Sequence, residues 1–233
     1  MKLTLPKIFT NKSKKDINFI TIDGITCSGK SLFANLLKKS LKNKFSDILI
    51  LSKDLFLYPR EKRIKITRNL RKITKNQNEL HYDLKKLKLL LEFLNRNNKA
   101  KTIVLKNLYN RKTGKNNLKI KFRFLKKRLI IFEGIYVSKD IRYIVKPILK
   151  ILIIEKVYES LARKIERIRD KKISVQLVVT EFIRIHLESF KNYLHKNNFD
   201  ISFEDINRNF VIKKQGKIKQ FQYIKKFLLK HRY

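Results

Sequence analysis

The stretch that most constrains the fold is residues 17–41. There the run Ile17-Asn18-Phe19-Ile20-Thr21-Ile22-Asp23 ends at a loop bounded by Gly24 and Ser31, and Leu32, Phe33, Leu36, Leu37 and Leu41 follow at helical spacing. That order predicts a buried strand, a turn and an amphipathic helix. The loop fits G-x-x-x-x-G-K-[ST] at its fixed positions, Gly24, Gly29, Lys30 and Ser31. Such a loop turns its backbone N–H groups toward phosphate, its lysine reaches the β and γ oxygens, and the final hydroxyl can ligate Mg²⁺. Phosphate then lies at a helix N-terminus, where the dipole and the unpaired donors favour anions. The pattern alone also matches plain turns. The strand before it and the helix after it make Gly24, Ile25, Thr26, Cys27, Ser28, Gly29, Lys30, Ser31 and Leu32 a predicted nucleotide-binding segment.

A chain of 233 residues suits one domain with an elaboration. No apolar run approaches the ~18 residues of a membrane span; Ile148 to Ile154 comes nearest and is broken by Lys150. The start, Met1 to Pro6, lacks the apolar segment and cleavage site of a secretory signal. A single cysteine cannot support a disulfide framework, so a cytoplasmic location is expected.

Lys and Arg number 58 against 19 Asp and Glu, a formal charge of +39. On its face this predicts attraction to nucleic acid or anionic lipid. The lysines are spread along the chain, however, and accompany abundant Asn, Ile, Leu and Phe, the profile of an A+T-rich coding sequence. The same field would draw in ATP or an anionic substrate. A nucleic-acid partner and an oligomer both stay open, although no RNA-recognition motif, zinc ligand set or helix-turn-helix is visible.

Residues 1–16 read as a basic leader. A second buried strand, Asp47 to Ser52, runs into Lys53-Asp54-Leu55-Phe56-Leu57-Tyr58. Ligands of parallel α/β sheets bind beyond the carboxyl ends of strands, which makes Asp54 a candidate base for a hydroxyl; an isolated Asp there is also a common cap or turn residue. Lys62 to Asn78 shows no clear period and reads as a surface excursion. Leu84, Leu87, Leu90, Leu91 and Leu94 mark a helix, Thr102 to Leu105 a strand, and the alternation Leu118, Ile120, Phe122, Phe124 its hairpin partner.

Arg128 to Gly134 is a third buried strand with Glu133 at its end, where a carboxylate needs a cation or donors nearby. Ile148 to Ile154 is a fourth. Tyr158 to Lys172 reads as a basic helix, either a solvated face or arginines folding over phosphate. Val175 to Leu194 is a long helix, and His186 and His195 are assigned to packing or surface for want of metal-spaced companions. Phe199 to Phe203 and Asn209 to Ile212 form a candidate strand pair, and a basic tail follows.

These strings fall in the order found in one family. Over residues 17–212 the chain resembles the uridine kinase and phosphoribulokinase family of small-molecule kinases. Gly24 to Ser31 matches its phosphate loop, and Ser52-Lys53-Asp54-Leu55-Phe56 resembles its segment carrying the base. His81-Tyr82-Asp83 resembles the start of its acceptor-side helix, Leu108-Tyr109-Asn110 its substrate strand, Phe132-Glu133-Gly134 its Glu-Gly strand end, and Arg163 to Arg167 its arginine lid. Departures cluster on the acceptor side. The tyrosine expected directly after Phe56 stands at Tyr58, an expected acidic residue is Gln77, no histidine lies within ten residues after Tyr109, and the lid's Arg-Asp pair is displaced to Arg169-Asp170.

The resemblance implies a P-loop NTPase fold of the nucleoside-kinase type: three-layer α/β/α, with a mostly parallel central sheet and a small hairpin and lid elaboration. It implies a kinase domain over 17–212, a lid near 158–174 and a basic tail over 213–233. The implied activity is ATP- and Mg²⁺-dependent transfer of the γ-phosphoryl group to a small alcohol, foremost a nucleoside such as uridine or cytidine. Lys30 would hold the phosphates, Ser31 and Glu133 the Mg²⁺, and Asp54 would be the base. Arg163, Arg167 and Arg169 would close over the transferring group, with Asp54, Tyr58, Asp83 and Tyr109 facing the acceptor. The alternatives are a basic ATP-binding protein acting on nucleic acid and a non-catalytic nucleotide binder.

Overall fold

Side chains of Ile17–Gly24 alternate between two packing layers, as a strand with both faces covered requires. Ile20 and Ile22 pack on Phe33, Ala34, Leu37 and Leu41 of the following helix. Phe19 packs on the opposite face with Leu87, Leu91 and Leu94. Full burial of each such Leu or Phe contributes about 1.5–3 kcal/mol, which is why the helix follows the strand back along the sheet.

The computed structural model describes residues 17–45, 47–69, 77–96, 101–124, 128–168, 174–206 and 209–215. The expected leader at 1–16, Arg169 with Asp170, the Gln77 side chain and the tail from 216 onward lie outside the described residues. In chain order the elements are β1 (Ile17–Gly24), α1 (Lys30–Leu41), β2 (Asp47–Ser52), a 3-10 turn (Lys53–Phe56), α2 (Arg60–Asn69), α3 (Gln77–Leu80) and α4 (Leu84–Arg96). Next come β3 (Lys101–Leu108), β4 (Leu118–Phe124), β5 (Arg128–Gly134), α5 (Val137–Ile141), β6 (Leu149–Ile154) and α6 (Val157–Glu166). The chain continues through α7 (Val175–Glu181), a π-helical turn (Phe182–Leu187), α8 (Glu188–Lys196), β7 (Ile201–Ile206) and β8 (Asn209–Gln215).

The main sheet runs β2-β5-β1-β6-β7-β8, parallel except for the closing β7–β8 hairpin. β3 and β4 form a separate antiparallel pair. This is the expected three-layer arrangement with its hairpin elaboration. A third apolar cluster, including Ile25, Tyr136, Phe182, Tyr193 and Phe199, joins the loop after β1 to the helices that precede β7.

Two sequence readings change. Of the stretch Lys62 to Asn78, read as an aperiodic excursion, residues 62–69 lie within α2. Glu61, Lys62, Ile64 and Lys65 of that helix are exposed, so no buried stripe imprints a 3.6-residue period on it. The last strand also runs to Gln215, past the boundary expected at 212.

Candidate active site

The loop after β1 takes its shape from two glycines. Gly29 has φ +84°, and a Cβ there would lie 2.9 Å from an Asp205 carboxylate oxygen and 3.2 Å from the Phe210 ring. A Cβ on Gly24 would lie 2.5 Å from Ser28 Oγ and 2.8 Å from the Ile153 carbonyl. Cys27, buried and unpaired, also stands in the left-handed region at φ +62°. The turn delivers Gly29 as the cap of α1, with Phe33 N–H donating to its carbonyl at 2.9 Å. Lys30, the first residue of α1, is buried and curls back so that Nζ donates to the Ile25 carbonyl at 2.6 Å. Burial lowers its pKa, opposed by the nearby carboxylates of Glu133 and Asp54. Ile25 is buried and Leu32 lies at the outer surface.

Ser31 and Glu133 meet because β5 pairs with β1 and brings its C-terminal end beside the loop. Ser31 Oγ donates to Glu133 Oε1 at 3.1 Å. Burial raises the Glu133 pKa and the Asp54 charge adds to it, against Lys30 and hydrogen bonds from Ser52 and Ser31. A hydroxyl and a carboxylate beside a phosphate loop are hard oxygen donors of the kind Mg²⁺ takes, the rest of its octahedron coming from water and phosphate. Among the described residues no group of three or more His, Cys, Asp or Glu could hold a metal. The pair therefore fits Mg²⁺ better than a metal that needs an all-protein cage.

Asp54 sits in the 3-10 turn beyond β2, where Tyr82 Oη donates to its Oδ1 at 3.3 Å and Arg111 Nη2 pairs with its Oδ2. The turn is anchored by its neighbour Lys53, whose fully buried Nζ lies 2.7 Å from Asp140 Oδ2 and donates to the Ile135 carbonyl at 3.1 Å. The same ammonium stands 4.6 Å from the centre of the Tyr82 ring. A buried cation held this way fixes the direction in which the next residue points.

Two segments, 81–83 and the one holding Tyr109, converge on this turn and its exit through three backbone hydrogen bonds: Tyr58 N–H to the His81 carbonyl, Asp83 N–H to Phe56, and Tyr109 N–H to Leu55, at 2.7–2.9 Å. Arg63 of α2 locks two of the expected acceptor residues, donating from Nη2 to Tyr109 Oη at 2.7 Å and from Nε to the Tyr58 carbonyl at 3.0 Å. Asp83 caps α4, its Oδ1 accepting from Lys86 N–H at 3.0 Å. The backbone thus ties Asp83 and Tyr109 to the turn that carries Asp54, and Tyr58 to the segment before Asp83.

Arg163 is engaged by carboxylates. Its guanidinium contacts Glu155 at 2.5 Å, Asp205 at 3.1 Å and Glu159 at 3.5 Å, and reaches the Cys27 carbonyl at 3.5 Å. The residue expected over the γ-phosphate is thereby tied to carboxylates and to the loop carbonyl of Cys27. Burial pushes the Glu155 carboxyl up to about 7, with Arg163 among the groups that oppose it. Arg167 is exposed at the end of α6, and Arg169 lies outside the described residues. Beside Arg163, Lys164 Nζ lies 3.3 Å from Glu181, which also stands 3.7 Å from His186 Nε2. Sequence reasoning missed Lys53, Arg63, Tyr82 and Arg111 as site residues. The signal available was adjacency to Asp54, Tyr58 and Tyr109.

The phosphate loop between a central parallel strand and α1, with acidic residues at the ends of the flanking strands, gives the chain the fold of the P-loop small-molecule kinases. Among solved structures it resembles a possible uridine kinase from Bacillus stearothermophilus at TM-score 0.56 and 17% identity, over 81% of this chain and 86% of that one. It resembles phosphoribulokinase from Rhodobacter spheroides at TM-score 0.54 and 14% identity, over 82% and 71%. It also resembles D-glycerate 3-kinase from Cryptococcus neoformans at TM-score 0.54 and 13% identity, over 86% and 89%. No protein-family model and no curated protein matches the sequence.

Proposed function

We propose that this chain is a divergent member of the uridine kinase and phosphoribulokinase family that transfers the γ-phosphoryl group of ATP to a hydroxyl of a small molecule, foremost a nucleoside such as uridine or cytidine. The observation that carries the reading is the meeting of Lys30, the Ser31–Glu133 pair and Asp54 beyond the carboxyl ends of β1, β5 and β2, where Asp54 and Glu133 both act on the Lys30 ammonium. The loop N–H groups and Lys30 bind the β and γ phosphates. Ser31 and Glu133 would hold Mg²⁺, which would supply neutralisation of the phosphate charge. Asp54 accepts the acceptor's hydroxyl proton and aims the oxygen in line. Tyr58, Asp83 and Tyr109 shape the acceptor side, and Arg167 and Arg169 serve as lid, with Arg163 as the anchor of α6.

The domain carrying this chemistry spans 17–215 in our reading, with the lid near 158–174. A reducing compartment, the cytoplasm, suits a chain whose only cysteine is a free thiol. No described helix is long and apolar enough to cross a membrane.

ADP release measured with a panel of nucleosides, pentose phosphates and other small alcohols tests the reading, with Lys30→Ala beside the wild type. Acceptor-dependent release that Lys30→Ala abolishes is the expected result. Release that ignores every acceptor, or that survives Lys30→Ala, overturns it.

A further inference from the structure

Transfer of a phosphoryl group is accelerated by a cation at the γ-phosphate besides the loop lysine, because charge spreads over the equatorial oxygens in the transition state. Arg163 is held by Glu155, Glu159 and Asp205. A different arginine stands beside the base. Arg111, in the loop between β3 and β4, pairs with Asp54 Oδ2. The Asp54 carboxylate holds the Arg111 guanidinium in the charged form against burial.

The loop that carries it is built to deliver it. Tyr109 N–H bonds to Leu55 beside Asp54, Asn110 and Lys115 close the turn, Gly114 N–H donates to Asn110, and Arg60 N–H at the head of α2 donates to Gly114, all at 2.8–2.9 Å. Asn110 Oδ1 accepts from Lys112 N–H at 3.0 Å. The backbone on either side of Arg111 is therefore fixed to the 3-10 turn and to α2, while the side chain remains 57% exposed and able to shift.

Resting on the phosphotransferase reading, we infer that Arg111 is a catalytic residue: its guanidinium, delivered by the β3–β4 loop and held ready by Asp54, contacts the γ-phosphoryl oxygens during transfer. A guanidinium has five donors in a planar fork, enough to keep one on Asp54 while another engages the phosphoryl group. In the step it assists, the acceptor O–H bond breaks as Asp54 takes the proton and the oxygen's electron pair forms the new bond to Pγ. The bond from Pγ to the β,γ-bridging oxygen breaks, and ADP leaves with that electron pair. Before the acceptor arrives, the Asp54 pairing also keeps the base engaged.

The test compares wild type, Arg111→Ala and Arg111→Lys in steady-state transfer to whichever panel acceptor the wild type uses, with ATP affinity measured separately. Arg111→Ala is expected to lower kcat ~10²-fold or more while KM for ATP changes by less than ~2-fold, because the contact is made in the transition state. Arg111→Lys should fall between the two, and added guanidinium ion should restore part of the lost kcat of Arg111→Ala. An exposed ion pair with only a structural role would give none of this rescue. The proposal is overturned if Arg111→Ala keeps kcat within ~3-fold of wild type, or if only KM for the acceptor rises. If wild type transfers phosphate to no acceptor, the phosphotransferase reading itself fails and Arg111 has no such role.

Discussion

Ser31 Oγ donates a 3.1 Å hydrogen bond to Glu133 Oε1 across 102 residues of sequence. The contact joins the phosphate loop to the end of the neighbouring strand and sets two hard oxygen donors where a nucleotide's phosphates would lie. Replacing Glu133 with Gln keeps the hydrogen bond and removes the charge. The Mg²⁺ concentration for half-maximal ADP release should then rise by at least ~10-fold, with thermal stability little changed. A titration of activity against Mg²⁺ checks this, and an unchanged curve would take Glu133 out of the metal site.

Asp54→Asn should lower turnover by ~10² or more with ATP affinity almost unaltered, since the amide cannot take the acceptor's proton. Transfer with the true acceptor at an undiminished rate would show that Asp54 is not the base.

Gly29→Ala should destabilise the protein by about 1–3 kcal/mol, the cost of holding a non-glycine residue at an unfavourable backbone conformation. The new methyl would also meet Asp205 and Phe210 at 2.9 and 3.2 Å. Urea unfolding reads the loss, and ATP affinity should fall with it as the loop is displaced.

Arg163→Ala removes the guanidinium that contacts the buried Glu155 and Asp205 carboxylates. Breaking a buried pair from one side costs about 3–5 kcal/mol, so the variant should unfold at clearly lower urea. A lid arginine would show the opposite pattern, with stability retained and turnover lost.

Burial lifts the Asp23 carboxyl from 3.8 to about 6, against hydrogen bonds from Ser138 and Tyr193. The folded state thus holds a proton that the unfolded chain has released between those values. The stability this group contributes is full below the unfolded pKa and is lost as pH rises through the folded one, on the order of 3 kcal/mol in all. Asn can accept from Ser138 and donate to Tyr193 without titrating. Asp23→Asn should therefore gain stability over wild type as pH climbs from 4 to 7, a difference that paired urea titrations would detect.

The phosphate loop was legible in the sequence because it is contiguous. Gly24, Gly29, Lys30 and Ser31 act through local backbone geometry, and the flanking strand and helix announce themselves by period. Buried strands of the main sheet were legible for the same reason, as unbroken apolar runs covered on both faces. The exposed helix α2 left no period to read, and the burial of Lys53 against the Asp140 carboxylate depends on a residue far along the chain that no local pattern marks.

What the sequence determined by itself was the strand, loop and helix of residues 17–41, along with the α/β class they begin. Which charges meet was decided only by tertiary structure: Arg111 reaches Asp54 across 57 residues, and Arg163 reaches Asp205 across 42. Backbone conformation and burial period are set by neighbours along the chain. An ion pair is set by strand order and loop anchoring, which no local pattern of residues encodes.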